Sequence, residues 1–328
     1  MIKHLLFLFI LTNFVLLARG QDPEFTQFYA NPLYLNPAYA GTTKGIRFAF
    51  NYRNQWPSLP SSFVTYSASY DQHFDELSGG IGLHVLYDRA GDGDLSTTGG
   101  SFMYSYFLPV SEKFAIKAGL EVTAIQKSID FGKLLFYDQI DPRLGFIYKT
   151  GEDLPSQGIY KINPFFDFSA GMIGFTNKFY AGFAVNHISE PQMSFFDNTD
   201  SKLPRKYTAH MGLMLPLDNA RNPKNFFSPN VLFQKQENFA QLNFGAYYIK
   251  DYLIAGVWYR QTSQNSDAFM ALIGVKKAPL KVGYSYDITI SDVHTGGKGS
   301  HEISVIIEIP TYRKPVPSKW RKLICPTF

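Results

Sequence analysis

Residues 280–288 read LKVGYSYDI, and residues 301–309 read HEISVIIEI. In the first stretch Leu280, Val282, Tyr284, Tyr286 and Ile288 alternate with Lys281, Gly283, Ser285 and Asp287. In the second, Ile303, Val305, Ile307 and Ile309 alternate with Glu302, Ser304 and Glu308. Successive strand side chains point to opposite faces, so each stretch is a β-strand with one apolar side and one polar or small side. The pattern recurs in 45–53, where Ile46, Phe48, Phe50 and Tyr52 oppose Arg47, Ala49, Asn51 and Arg53. It recurs again in 240–248, where Leu242, Phe244, Ala246 and Tyr248 oppose Gln241, Asn243, Gly245 and Tyr247.

Dividing the chain at its turns gives about fourteen such segments. They lie near 45–53, 64–72, 78–88, 97–108, 113–126, 165–176, 178–187, 206–215, 227–235, 239–249, 252–261, 268–277, 280–288 and 299–309. Most run for about 9–11 residues, the length of a tilted transmembrane strand; strands of soluble proteins average about 5–6. Counting from a periplasmic N-terminus, the outward connections include 127–164 and 188–205, while the inward ones are mostly short. Only 236–238 and 216–226 break that trend. Long outer loops and short periplasmic turns mark an outer-membrane barrel. In lipid, closure satisfies every backbone N–H and C=O, which an open sheet cannot do. The expected fold is therefore all-β: an antiparallel transmembrane β-barrel of about 14 strands spanning 45–309, with 127–164 as a long external loop. A secreted β-sandwich also alternates in period 2, but with shorter strands.

Composition agrees. The 328 residues are 45% hydrophobic, 16% aromatic and 18% charged, against about 25% charged in an average soluble domain. There is ample apolar surface to bury, so disorder is excluded. One Cys rules out a disulfide framework. With 31 basic and 27 acidic residues, strong nucleic-acid binding is not expected.

Residues 1–20, MIKHLLFLFILTNFVLLARG, have a basic start at Lys3 and His4, an apolar run from Leu5 to Leu17, and the small residues Ala18 and Gly20 at the −3 and −1 positions. They read as a secretory signal peptide, leaving a mature chain from Gln21. No Cys follows the junction, so a lipid anchor is not indicated. Residues 21–44, QDPEFTQFYANPLYLNPAYAGTTK, carry Pro23, Pro32 and Pro37 and five aromatic residues. Proline cannot donate to a sheet ladder. This segment is expected to be ordered without being a strand, packed in the lumen or at the periplasmic mouth. Residues 310–328 are expected to form an extended periplasmic tail carrying Arg313, Lys314, Lys319, Arg321 and Lys322 with no acid. Such a tail suits an acidic partner or phosphate groups, or is simply solvated.

Signs of catalysis are few. The seven His make no HExxH pattern, and no GxSxG elbow or phosphate-binding loop is present. The acids of DRAGDGD (88–94) lack calcium-loop spacing and read as a turn. His210 and His301 fall on the polar side expected to face the lumen. No enzyme, metal or cofactor is expected. The bulky residues Tyr66, Phe102, Tyr104, Tyr106, Tyr247 and Trp258 are expected to help fill the interior.

Eight stretches in order now support a resemblance: QDPEFTQFYANPLYLNPAYAG (21–41), RNQW (53–56), DRAGDG (88–93), GFAVNHISEP (182–191), GVWYR (256–260), GYSYDIT (283–289), HEIS (301–304) and CPTF (325–328). The chain resembles the PorP/SprF family of Bacteroidetes outer-membrane proteins, associated with type IX secretion and gliding motility, over its whole mature length. The resemblance implies an outer-membrane protein without turnover. Some members assist secretion or surface attachment of adhesins bearing a type-B C-terminal sorting domain, and the secretion namesake associates with a peptidoglycan-anchored periplasmic lipoprotein. It also implies that Asn36, Pro37, Ala38, Tyr39, Ala40 and Gly41 form a structural or partner-facing motif, with Cys325, Pro326 and Phe328 as a tail contact. The lone Cys325 is open to three readings: inert, paired with a partner, or modified. The alternative function is a passive porin or solute transporter.

Overall fold

The computed structural model describes residues 22–43, 45–59, 62–91, 94–147, 158–195, 201–218, 223–263, 266–290 and 299–310. Fourteen long strands form the wall: β1 (Gly45–Gln55), β2 (Phe63–Phe74), β3 (Gly79–Ala90), β4 (Leu95–Pro109), β5 (Ala115–Asp130), β6 (Phe165–Phe175), β7 (Phe179–Asn186), β8 (Lys206–Leu213), β9 (Asn225–Gln236), β10 (Phe239–Lys250), β11 (Leu253–Thr262), β12 (Ser266–Lys277), β13 (Leu280–Thr289) and β14 (Ser300–Pro310). Each pairs antiparallel with its sequence neighbours. The ring closes where β1 meets β14, in register from Gly45 opposite Pro310 to Gln55 opposite Ser300. Among the fourteen wall strands no edge is left open, as a lipid environment requires.

The short turns 75–78, 110–114, 176–178, 251–252 and 278–279 gather at the end that holds the start of β1. By the rule for outer-membrane barrels this is the periplasmic end. The connections 131–164 and 187–205 lie at the other, outer end.

Side-chain alternation sorts the wall into two surfaces. Leu120 on β5 points outward and is 66% exposed, while Lys117 on the same strand points inward and is 1% exposed. The outer surface is apolar, with Phe50, Leu83, Phe168, Val257 and Ile273 among its residues. Aromatic rings meet across strands there, as in Phe244, Tyr259 and Phe269. Such cross-strand pairs stabilise a sheet.

The structure corrects two expectations about facing. Tyr66, Phe102 and Tyr106 are 48–50% exposed on the outer surface, and Tyr104 shares their face. On β2 and β4 it is Ser67, Ser69, Asp71, Ser101 and Ser105 that turn inward. The reason is chemical: aromatic side chains suit lipid contact, whereas short polar ones leave room in the lumen. Tyr247 and Trp258 do face inward, each 3% exposed. His301 also lies on the outer surface, because Ser300, Glu302 and Ser304 hold the inward positions of β14. Its ring packs on Tyr286 at 4.9 Å and accepts or donates a hydrogen bond with the Tyr284 hydroxyl at 2.8 Å.

Candidate functional site

The lumen is filled by the chain's own residues 22–43. Their three prolines keep them out of the sheet, and they form three short turns instead. A 3₁₀ turn spans Phe28–Ala30, a single α-turn α1 spans Pro32–Leu35, and a second 3₁₀ turn spans Pro37–Tyr39. Pro32 and Pro37 each start a turn, where their missing N–H costs nothing. Asn36 caps the last turn: its Oδ1 accepts the Ala38 N–H at 2.9 Å.

The apolar side of this plug forms the core of the protein. Phe28, Tyr29, Leu33, Leu35, Ala38, Tyr39 and Ala40 pack on Met103, Ile173, Phe175, Tyr180, Leu232, Tyr247 and Trp258 of the wall. Phe28 meets Trp258 edge-on at 4.8 Å, and Tyr39 stacks on His210 at 5.5 Å. His210 is thus lumenal, as its alternation indicates, and serves as a packing surface for the plug.

The polar side of the plug is bound all round the ring. At one point Glu302 of β14 accepts the backbone N–H groups of Thr26 and Gln27, at 2.6 and 2.9 Å. Asp287 of β13 accepts the Thr26 hydroxyl at 2.7 Å. Arg53 of β1 lies between the two carboxylates, 2.8 Å from Asp287 and 3.3 Å from Glu302, and donates to Thr26 Oγ1. All three charged side chains are at most 2% exposed. Such a group is favourable only when every charge is paired and hydrogen-bonded, and here each carboxylate has both.

The NPAYAG motif occupies the opposite arc. Asn36 Nδ2 donates to the carbonyls of Met172 and Phe183, each at 3.2 Å. The Ala40 carbonyl accepts Ser105 Oγ at 2.6 Å and Lys117 Nζ at 2.5 Å. Gly41 has φ +63° and donates its N–H to Asp71 at 2.7 Å. That carboxylate is itself held by Arg47 at 2.7 Å, and Arg47 also donates to the Tyr39 carbonyl. Gly41 is needed on two counts: a left-handed backbone, and a Cβ that would lie 2.6 Å from Gly80 Cα. Asn36, Pro37, Ala38, Tyr39, Ala40 and Gly41 are therefore brought together, all buried in the lumen. Cys325, Pro326 and Phe328, and the leader and tail, lie outside the described residues.

Above the plug, at the outer end, a cavity of about 330 Å³ remains. Tyr34 and Asp22 of the plug, His84, Asp88, Glu121, Lys127, Asp167 and His187 line it, with Lys206. His187 begins the connection after β7, and both its ring nitrogens are engaged. Nδ1 is 2.8 Å from Asp167 and Nε2 is 2.7 Å from Asp22. Burial works against the charged imidazole, but the two carboxylates outweigh it and hold His187 at a pKa of about 9. Burial likewise raises the Asp22 carboxyl, yet His187 and Lys206 overcome it and keep Asp22 well below the usual range.

This clamp makes a pH prediction. A His whose folded pKa lies above its unfolded value of about 6.5 contributes stability that is complete below that value and is lost as pH rises through the folded pKa. Asp22, shifted down, contributes above about pH 4 and loses its contribution only as pH falls through its lower folded pKa. The clamp is therefore closed throughout the neutral range and weakens near pH 9. Melting temperatures at pH 7 and pH 10 check this: the fall should be smaller in His187→Gln than in the parent. Equal falls would show that His187 does not carry the charge.

The anchors Arg53, Asp287, Glu302, Arg47, Asp71 and His187 were not singled out from sequence. One signal was present: Arg47 and Arg53 share the inward face of β1, and the register sets them opposite Asp71 and Glu302. Among the described residues, no group of three or more His, Cys, Asp or Glu could hold a metal ion.

Three solved structures show what the chain is similar to. CymD, a monoaromatic hydrocarbon channel, is 13% identical, with 87% of this chain and 94% of that one covered and a TM-score of 0.46. The TodX deltaS2S3 mutant, another monoaromatic hydrocarbon channel, is 13% identical, with 84% and 92% covered and a TM-score of 0.47. Omp33 of Acinetobacter baumannii is 8% identical, with 81% and 99% covered and a TM-score of 0.44. No curated protein matches the chain. The family model for the type IX secretion system membrane protein PorP/SprF matches residues 17–307, which takes in the plug, its anchors and nearly the whole wall. This outer-membrane β-barrel belongs to the PorP/SprF family of type IX secretion system membrane proteins.

Proposed function

We propose that this protein is a closed outer-membrane scaffold that assists secretion or surface anchoring of cell-surface adhesins, without catalysis. One observation carries the reading: residues 22–43 fill the lumen and are hydrogen-bonded to the wall around the ring. A filled barrel works through its two rims. The outer rim would receive an exported protein, with a type-B C-terminal sorting domain as the family resemblance implies. The periplasmic rim, extended by the basic tail 310–328 with Cys325, Pro326 and Phe328, would meet secretion components such as a peptidoglycan-anchored lipoprotein. In this reading residues 1–20 are a cleaved leader that directs export.

Deleting the gene should abolish surface display of one adhesin, and the full chain should restore it. Unchanged display of every surface protein would sink the proposal. A chain lacking 311–328 should still give a heat-resistant barrel but recover less partner in a pull-down from outer membranes. Loss of folding on that truncation would make the tail structural instead.

The passive pore is the competing reading, and conductance separates the two. The parent chain should show no steady single-channel conductance in a planar bilayer. Steady conductance from the intact chain would favour the pore.

A further inference from the structure

The plug does not fill the lumen evenly. At the periplasmic end, beneath β8 to β12, a cavity of about 340 Å³ stays open, and among the described residues none of the plug lines it. Its walls come from the inward face of the barrel. Met214 continues the inward set of β8, after Thr208, His210 and Gly212. Phe226 shares its face of β9 with Ser228 and Asn230, and Ile249 shares its face of β10 with Tyr247. Lys276 follows Leu272 and Gly274 on the inward side of β12. The turn 251–252 makes the lip, where Tyr252 is exposed.

Two chemistries meet in this cavity. The deep part is apolar: Ile249 belongs to the core, and Met214 and Phe226 pack against it. The lip is cationic, with Lys224 and Lys276. Lys224 lies 3.4 Å from Asp251, and both are exposed, so water holds that pair weakly. Lys276 is half-buried and, among the described residues, has no carboxylate in salt-bridge reach. The charge it meets is of its own sign: Lys281, which is already committed to Glu308 at 2.7 Å. The rim around the cavity is basic too. Lys178, Lys250 and Lys277 add to Lys224 and Lys276 there, against Asp218 and Asp251. The turns 75–78 and 110–114 across the mouth have the opposite balance, Asp75, Glu76 and Glu112 against Lys113.

We propose that this cavity receives an acidic peptide of a periplasmic partner: one aromatic or large aliphatic side chain enters the apolar floor, and flanking Asp or Glu carboxylates meet Lys224 and Lys276. This rests on the reading that the periplasmic rim meets secretion components, and it puts the contact inside the mouth. Water in the cavity touches the apolar floor, and covering that floor is favourable. An apolar group alone would leave Lys276 without a counter-charge, and an anion alone would leave the floor wet, so the occupant carries both. Phospholipids carry both, but the leaflet meets the outward face of the wall, to which Lys250 and Lys277 belong, and the wall separates it from Ile249. A volume of about 340 Å³, at the small end of ligand-sized pockets, suits one or two side chains of an extended segment or loop tip. The basic arc draws an acidic segment to this side of the mouth.

The test uses the full-length protein in detergent micelles and pools of capped pentapeptides. The central residue is varied, and the flanking residues are Glu in one pool, Gln in the second and Lys in the third. The immobilised barrel should retain, from the Glu pool, peptides with Phe, Tyr, Trp, Leu or Met at the centre, and little from the other pools. Lys224→Gln with Lys276→Gln should weaken the best-retained peptide about fivefold or more, as the loss of two exposed charge contacts implies. Lys250→Gln with Lys277→Gln, on the outward side of the same rim, should leave its affinity nearly unchanged. A photoreactive phenylalanine at the peptide's centre should crosslink to Phe226, Ile249 or Tyr252 of the parent. No retained peptide, retention that ignores the central residue, an equal loss from the outward pair, or crosslinks confined to outward residues would each overturn the proposal. Cells separate it from the reading it rests on. Adhesin display lost on gene deletion but kept by the inward pair, with no peptide retained, removes the cavity and leaves the scaffold standing. Display that survives deletion removes the scaffold reading and the partner of this cavity with it.

Discussion

Replacing Arg53 by alanine is expected to destabilise the barrel by about 3–5 kcal/mol, the range for breaking a buried ion pair from one side. Arg53 sits between Asp287 and Glu302, both at most 1% exposed. Without it, Glu302 is left in a closed lumen with no cation from Arg53, and Asp287 keeps only the longer contact to Arg260 at 3.4 Å. The loss should spread to the plug, since Glu302 holds the Thr26 and Gln27 N–H groups and Arg53 itself donates to Thr26. Urea unfolding of the refolded barrel measures the loss. The double variant Arg53→Met, Glu302→Gln should recover much of it, because it removes the stranded charge along with the cation and leaves Asp287 paired with Arg260. If Arg53→Ala alone cost less than about 1 kcal/mol, the trio would be acting as a surface pair does.

The second large effect is expected from glycines of the wall. A Cβ on Gly119 of β5 would lie 2.5 Å from the Ala38 nitrogen and from the Pro37 carbonyl carbon. A Cβ on Gly171 of β6 would collide with the Asn36 carboxamide, and one on Gly80 of β3 with the Ala40 carbonyl. Most of these neighbours are plug backbone, which cannot swing aside as a flexible side chain does. Gly119→Ala should therefore cost about 1–3 kcal/mol or more, and Gly171→Ala a similar amount. Both displace the same turn, so their effects should not add. Gly99→Ala is the control: its nearest neighbour is Thr123 Cγ2 at 3.7 Å, beside the outer cavity. It should be close to neutral, and a loss as large as that of Gly119→Ala would mean that strand glycines matter for the sheet and not for the plug.

Much of the fold was legible, because a lipid-facing strand must alternate. Segments such as 239–249 and 280–288 differ from β10 and β13 by a residue at most. Facing was harder to read. On β2 the alternation gives Val64, Tyr66, Ala68 and Tyr70 against Thr65, Ser67, Ser69 and Asp71, and a rule that bulky groups fill a lumen picks the wrong set. What fills this lumen is a separate segment, and the wall opposite it must be small or able to hydrogen-bond.

The anchors were hidden for another reason. A charge on a strand's polar face looks like a solvated charge until the register is known. Arg47 and Asp71 are 24 residues apart in sequence and directly opposite in the sheet. The resemblance had in fact marked most of the anchors without assigning them a role. RNQW contains Arg53, GYSYDIT contains Asp287, HEIS contains Glu302 and GFAVNHISEP contains His187. The structure gives these four stretches one physical theme, which is attachment to the twenty or so residues inside the ring.

The span of those attachments bears on how the protein is made. Thr26 and Glu302 are separated by 276 positions, and Arg53 and Glu302 by 249. These contacts join the opening segment to the last strand, so no chain that stops before β14 can form them. Contacts so remote in sequence carry the largest loop-closure cost and form late. A chain stopped before β14 would leave Arg53 without Glu302 and the N–H groups of Thr26 and Gln27 without their acceptor. Seating of the plug thereby proofreads the wall: only a chain that extends through β14 can lock.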